Sequence, residues 1–393
     1  MGRRHDLRAQ RLLARADAAR PPLRSVPTRP HGDRTGHRFE RAYDDDVTRG
    51  PLLHADADAF FASVALRTRP ELIDRPVAVV AHVVVACASY PARARGVRAG
   101  MHVDEAQTRC PGLVMLDVPQ AEIEEVGDAL LALFHEHAAA VEPGSIEEAF
   151  LDTGAADVEE AVAVARSLRR RAATELGIPL TVGVGRTKLM AKLASRAGKP
   201  DGLHVIDAAR EAELRSTLAP SEIWGIGPRT VARLGDLGVV TLADVDRVAP
   251  AELHQTCGTA MARRLLQIRE GTDDAVVRPV TRRASFSASG ATAGYARPDR
   301  TPQELLETCV GRVCHRAERS GLAGSVLAVT LTPETGERVR VLRTGVPEAT
   351  AEPATWSPLA RDLLERAPVP RLTGLGVTLE RLVPVDQVQG ALF

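Results

Sequence analysis

Four carboxylates in this sequence are arranged in a way that could do chemistry. Asp56 and Asp58 lie two apart at the end of the apolar run Leu52-Leu53-His54-Ala55-Asp56-Ala57-Asp58. Alternate residues of a strand share a face, so both could point the same way. Glu147 and Glu148 are adjacent inside Ser145-Ile146-Glu147-Glu148-Ala149-Phe150-Leu151-Asp152. Two adjacent glutamates inside an otherwise apolar strand are unusual, because one of them must face the core side. A buried carboxylate without a partner is costly, so a metal or another cation is implied. Taken singly, each segment also fits solvated charges at a strand end or on an edge strand. Together they supply three or four carboxylates from neighbouring strands. Two magnesium ions about 3.5–4 Å apart at a phosphoryl-transfer site need such hard oxygen ligands.

Three weaker signals point to phosphate. Tyr90 and Arg93, three apart in Ser89-Tyr90-Pro91-Ala92-Arg93, share a helical face and could grip a triphosphate. In Gly183-Val184-Gly185-Arg186-Thr187-Lys188, glycine would allow close backbone approach, and Lys188 opens a helix where anions are favoured. The Gly-Lys-Ser/Thr order of a Walker loop is absent. Lysine occurs only at 188, 192 and 199, every other basic residue among the 51 being arginine, so three lysines within twelve residues are conspicuous. The Gly225-Ile226-Gly227 turn would expose backbone amides to a phosphate oxygen without reading base identity.

The elements that must position these residues follow from pattern. Leu52–Asp58 reads as a strand with a helix from about Phe60, and Val77–Ala88 as two strands around a turn at Ala81-His82. Glu122–Val141 reads as a helix, and Ser145–Asp152 and Leu180–Gly185 as strands flanking a helix at Val158–Leu176. Residues 208–277 read as all-helical. Beyond them, helices at Pro302–Ser320 and Trp356–Arg366 alternate with strands at Ser325–Thr332, Arg338–Arg343 and Gly374–Leu382. Residues 1–50 hold twelve Arg against seven Asp and Glu with little apolar periodicity, which predicts a disordered extension. The chain has 393 residues, with 51 basic and 51 acidic, which argues against a uniformly basic coat but not against a local basic groove. No apolar run is long enough to span a bilayer and no signal-type stretch opens the chain, so the expectation is a soluble, cytoplasmic protein. Cys87, Cys110, Cys257, Cys309 and Cys314 form no Cys-x-x-Cys pair and read as reduced packing thiols.

In this order the segments resemble the Y-family translesion DNA polymerases, most closely the bacterial DNA polymerase IV group. Three stretches carry the resemblance: Ala55-Asp56-Ala57-Asp58-Ala59-Phe60-Phe61-Ala62-Ser63-Val64, Val141 to Asp152, and Lys188-Leu189-Met190-Ala191-Lys192-Leu193-Ala194-Ser195 with Gly198-Lys199-Pro200-Asp201-Gly202. The fold it implies is an α/β multi-domain right hand with palm, fingers, thumb and a C-terminal little finger. The palm would be 51–60 and 119–207, the fingers 61–118, and the thumb, with a helix-hairpin-helix, 208–277. A linker at 278–285, the little finger at 286–384 and a clamp-binding tail at 385–393 would follow.

The resemblance also implies residue roles. Asp56, Glu147 and Glu148 would be the catalytic carboxylates and, with the Ala57 carbonyl, the ligands of two magnesium ions for which manganese is an expected substitute. Phe60 and Phe61 would lie at the nucleotide, with Phe61 as the ring that excludes a ribose 2′-hydroxyl. Tyr90, Arg93 and Lys188 would grip the triphosphate. Gly225 and Gly227 would hold primer phosphates, and by alternation along Arg338–Arg343 the arginines Arg338 and Arg340 are expected on the DNA side. Gln387, Leu392 and Phe393 resemble a sliding-clamp peptide. The partners implied are primer-template DNA, deoxynucleoside triphosphates and the clamp, with a monomeric protein and no membrane.

Four departures stand against the family pattern: Glu147 for the usual Asp, Cys87 for a phosphate-contacting Thr, Thr187 for Asn, and a short loop at Ala81-His82. They leave open a second reading, a polymerase-shaped accessory protein that binds clamp and DNA with little catalysis. A nucleotidyltransferase or cyclase sharing only the palm is a third, which the thumb hairpin and little finger disfavour.

Overall fold

The computed structural model describes residues 50–279, 283–295, 298–334, 340–367 and 371–388. The chain forms two compact units, one of residues up to Asp58 with Leu130–Pro279, the other of Ala59–Ala129 with the chain from Val280 onward.

The first unit is built on a five-stranded sheet in the order Ala140–Pro143, Glu148–Asp152, Leu52–Ala57, Leu180–Gly185, Leu203–Val205. The first four strands are antiparallel to their neighbours and the last pair is parallel. Leu180–Gly185 is buried along its whole length. Its glycines explain how the Lys188–Gly198 helix packs so closely on it. A Cβ on Gly183 would lie 2.1 Å from the Ser195 amide nitrogen and 2.2 Å from the Ala191 carbonyl oxygen. The glycines expected to admit a phosphate therefore admit a helix. Thr187 caps that helix by accepting from the Met190 amide, the task an Asn would perform equally well.

Two boundaries differ from the sequence expectation. The helix read to Val141 is Gln120–His137, and Ala140–Pro143 beyond it is a strand. The strand read from Ser145 starts at Glu148, because the Gly144 and Ser145 amides both donate to the Glu148 carbonyl and close a hairpin. Glu147 thus sits in the turn, so the conflict of two adjacent glutamates within one strand does not arise. Beyond 207 the expected helices are present at Ala208–Thr217, Pro228–Asp236, Pro250–Cys257 and Thr259–Glu270. They close around Leu234, Leu242, Leu253 and Leu265. The all-helical stretch read to 277 ends at Glu270; Val277, beyond the last helix, packs against Leu52 and Phe150, and the amide of Arg278, the first linker residue, donates to Glu142.

The second unit holds two sheets. Val84–Ala88, Val77–Ala81 and Val114–Asp117 form the smaller, with the expected tight turn at His82 (φ 58°). The strand at 114–117 was not anticipated. The larger has the antiparallel order Arg340–Thr350, Leu322–Pro333, Leu372–Pro384, Ser285–Ala291. One face is covered by Pro302–Arg319 and Pro353–Glu365, around a core that includes Trp356, Val310, Leu327, Val377 and Phe286. Cys309 and Cys314 lie in this core, where burial pushes their thiols up to about 11 and about 12, so both are inert packing groups. The arginine-bearing strand begins at Arg340, and Arg338 lies outside the described residues. Leu342 joins the core, while Arg343 is exposed and meets Glu380 at 3.4 Å. Arg316 makes paired hydrogen bonds of 2.9 and 3.0 Å to Asp128, and Arg312 grips Glu124.

Candidate active site

Antiparallel register brings the two halves of the acidic site together. Asp56 on Leu52–Ala57 is directly opposite Glu148 on Glu148–Asp152. Directly paired residues place their side chains on the same face of the sheet. Ligand atoms of Asp56, Glu148 and His54 all fall within 4.8 Å of one another. Glu147 is tied to the same place by its backbone, since its carbonyl accepts from the Ala57 amide at 3.0 Å. Gly144 leaves room for the Glu148 carboxylate, because a Cβ there would stand 2.7 Å from Oε1.

Asp58 behaves differently from the expectation that it shares a face with Asp56. The strand ends at Ala57, and Asp58 is fully buried. It accepts from Thr181 Oγ1 at 2.6 Å and from the Asp201 amide at 2.8 Å. It therefore anchors the segment that carries Lys199 and does not join the acidic cluster.

The conspicuous lysines are the cations of this site. Lys199 Nζ lies 2.6 Å from Asp56 Oδ1, and Lys192 Nζ lies 2.7 Å from Glu148 Oε2. Lys188, singled out by sequence for the triphosphate, pairs instead with Glu142 at 2.5 Å and sits over the Phe150 ring. The Glu142 carboxyl is held low: burial works against it, but the Arg278 amide and Lys188 prevail. Sequence reasoning thus missed Lys192 and Lys199 as site residues. The signal that marked them was lysine usage in a chain otherwise basic through arginine.

The electrostatics divide the glutamates. The Glu148 carboxyl lies at about 2, well below the usual carboxylate range; His54 and Lys192 stand against it, and since His54 Nε2 faces the ammonium it is Lys192 that supplies the charge, so Glu148 is ionised at neutral pH. Burial pushes the Glu147 carboxyl up, and the neighbouring Asp56 and Glu148 charges add to that. Burial also lowers His54, whose two ring nitrogens already have partners in Ser195 and Lys192. His54 Nε2 is thus not available as a ligand without displacing Lys192. The remaining donors are hard carboxylate oxygens, which fits a magnesium-type cation.

The other predicted residues are placed as follows. Phe60 is buried in the second unit, so of the two rings Phe61 is the more accessible, and they meet edge-on at 6.0 Å. Tyr90 and Arg93 do share a face: the guanidinium lies 5.0 Å over the Tyr90 ring and donates to the Ala88 carbonyl. Cys87 is buried against Ala59, Ala62 and Val79. Gly225 adopts φ 89°, which favours glycine, and Gly227 caps the Pro228–Asp236 helix. Gln387 ends a short turn at Val385–Gln387, whereas Leu392 and Phe393 lie outside the described residues.

Comparison with known proteins gives concordant matches. The model of the impB/mucB/samB family matches residues 55–196, and that of the family's C-terminal domain matches 285–392. A DNA polymerase IV of Alkalilimnicola ehrlichii is 34% identical over 361 residues, spanning 88% of this chain and 100% of its own length. A DNA polymerase IV 2 of Mesorhizobium japonicum is 37% identical over 274 residues, 69% of this chain and 64% of that protein. Among solved structures, a Y-family DNA polymerase chimera superposes with a TM-score of 0.63 at 25% identity, covering 85% of this chain and 99% of its own.

Proposed function

The chain belongs to the impB/mucB/samB family of Y-family DNA polymerases as a DNA polymerase IV homologue, and from that premise we propose that it performs error-prone, template-directed synthesis across damaged DNA by two-metal nucleotidyl transfer. Its fold is the family's mixed α/β core followed by a C-terminal little-finger domain. The domain limits drawn above, 51–60 with 119–207, 61–118, 208–277 and 286–384, are the division we propose for it.

The observation that carries the reading is the direct register of Asp56 with Glu148, each carboxylate held by its own lysine. Divalent cations bound there, magnesium in the first instance, would activate the primer hydroxyl and stabilise the leaving pyrophosphate. Asp56, Glu148, the Ala57 carbonyl and Glu147 would hold them. Lys199, already at Asp56, is the ammonium best placed to meet a triphosphate, a role sequence assigned to Lys188. Phe61 would exclude the ribose 2′-hydroxyl, Tyr90 and Arg93 would meet the phosphates, and the Gly225-Ile226-Gly227 turn would hold the primer backbone. The test is extension of a primed template with magnesium and then with manganese. Template-directed incorporation is expected with both and absent in Asp56→Ala. Clamp and DNA binding with no incorporation under either metal would favour an accessory protein.

A further inference from the structure

Glu148 is held by a closed run of hydrogen bonds whose directions follow from atom types alone. The Lys192 ammonium has only donors. It stands 2.7 Å from Glu148 Oε2 and 3.1 Å from His54 Nε2, so Nε2 must accept. A neutral imidazole that accepts at one nitrogen carries its hydrogen on the other. His54 Nδ1 therefore donates to Ser195 Oγ, 2.7 Å away. The Ser195 hydroxyl in turn donates to the Lys192 carbonyl at 2.9 Å. The run begins and ends on Lys192. His54 and Ser195 are each 1% exposed, and the His54 ring is braced by Phe150 at a centroid distance of 4.7 Å. Between His54 Nε2 and Glu148 Oε2 the distance is 3.5 Å, longer than either contact of the ammonium that lies between them.

From this geometry we propose that His54 and Ser195 are positioning residues: they fix the Lys192 ammonium against Glu148 and so set the orientation in which that carboxylate meets a divalent cation. A lysine side chain is a flexible stem with a mobile charge. Buried, fully partnered polar groups rigidify one another, and here that rigidity is passed to the carboxylate. The close approach of the Lys188–Gly198 helix allowed by Gly183 brings Ser195 and Lys192 to His54. The inference rests on the polymerase reading for its effect on rate, but not for its effect on the lysine.

The chain's three lysines make the test direct. Protein labelled with carbon-13 at lysine Cε gives three resonances, assigned by single Lys→Arg variants. In metal-free protein, His54→Leu and Ser195→Ala should each move the Lys192 resonance and leave that of Lys188 in place. His54→Gln, whose amide oxygen can accept from the ammonium, should move it less. In primer extension, His54→Leu should lower kcat about ten-fold with little change in KM for the nucleotide, below the hundred-fold that a misplacement of about 1 Å can cost. His54→Gln should recover part of the loss. Thermal melting checks that each variant folds, and Ser195→Ala serves if His54→Leu does not. An unmoved Lys192 resonance in the folded variants overturns the proposal, as does a moved resonance with unchanged kcat. If the wild-type protein fails to extend primers while the resonance moves as described, the polymerase reading fails and the hydrogen-bonded relay stands.

Discussion

At the scale of single residues, Glu147 stands where the family resemblance implies an aspartate. A glutamate reaches one methylene, about 1.5 Å, farther than an aspartate. Magnesium demands near-octahedral shells at about 2.0–2.1 Å, so a bridging ligand has little slack. The hairpin places Glu147 in a turn, with its carbonyl bound by the Ala57 amide and its own amide bound to Ser145, so the extra length falls to the side chain. We expect an enzyme that is active but slow, and more stimulated by manganese than a family member with Asp. Glu147→Asp should preserve or raise the extension rate in magnesium, while Glu148→Ala should bring it to background. A Glu147→Asp enzyme slower in both metals would show that the longer side chain is adapted to its site. A second prediction concerns Phe61, the more accessible ring of its pair. Phe61→Ala should raise ribonucleotide incorporation ten-fold or more, on the scale of about 1–3 kcal/mol for a lost steric contact. Competition between ribo- and deoxynucleotides on one template measures it, and unchanged discrimination would place the gate elsewhere.

At the scale of elements, what was legible in the sequence was what period and composition encode. The Val-rich hairpin, the buried Leu180–Gly185 strand and the helices beyond 207 follow from local pattern, and the structure has them. Turn positions and long-range partners were not legible. Nothing local says that the Gly144 and Ser145 amides will fold back onto Glu148, or that Asp58 will be locked by Thr181 while Asp56 stays in the cluster. Lys188 looked like the phosphate lysine because it opens a helix, and only the packing on Gly183 reveals which lysines the helix turns toward Glu148 and Asp56. Similarly, Glu211 gave no sequence signal, yet it joins two elements: it is buried and accepts from both Arg186 and Arg215. Burial opposes its charge, but the guanidinium groups keep its carboxyl below the usual range. A depressed carboxyl contributes stability that is complete above its unfolded value of about 4.3 and is lost as pH falls through the folded one. Glu211→Gln should therefore destabilise at pH 7 by about 1–3 kcal/mol, the scale of the charged hydrogen bonds it weakens, since Arg215 keeps Asp273 at 2.8 Å as a second acid. The gap between variant and wild type in thermal melts should narrow below about pH 4. A gap independent of pH would assign the loss to packing instead.

For the whole molecule, the balance of 51 basic and 51 acidic residues means that DNA affinity depends on which arginines remain unpaired. Several are already paired with acids, among them Arg312 with Glu124 and Arg316 with Asp128. Removing residues 387–393 should abolish stimulation by the sliding clamp and leave distributive extension intact, and stimulation that survives would locate the contact on another surface. The sheet face opposite the two C-terminal helices offers a finer test of how the protein meets the duplex. Its strands present Ser285, Ser287, Ser289 and Thr378, with Ser287 and Thr378 hydrogen-bonded at 2.9 Å. Among the described residues Arg343 is a cation there, over half exposed but facing Glu380 at 3.4 Å. An exposed pair of this kind contributes about 0–1 kcal/mol to stability, so either partner can be changed without unfolding the domain. If this face meets DNA, Glu380→Gln frees Arg343 to neutralise a phosphate. The slope of log affinity against log salt should then steepen by roughly one and affinity at low salt should rise, whereas Arg343→Gln should make the slope shallower by a similar amount. Fluorescence anisotropy of a primed duplex at several salt concentrations measures both. Equal slopes for wild type and both variants would show that the face is turned away from the duplex.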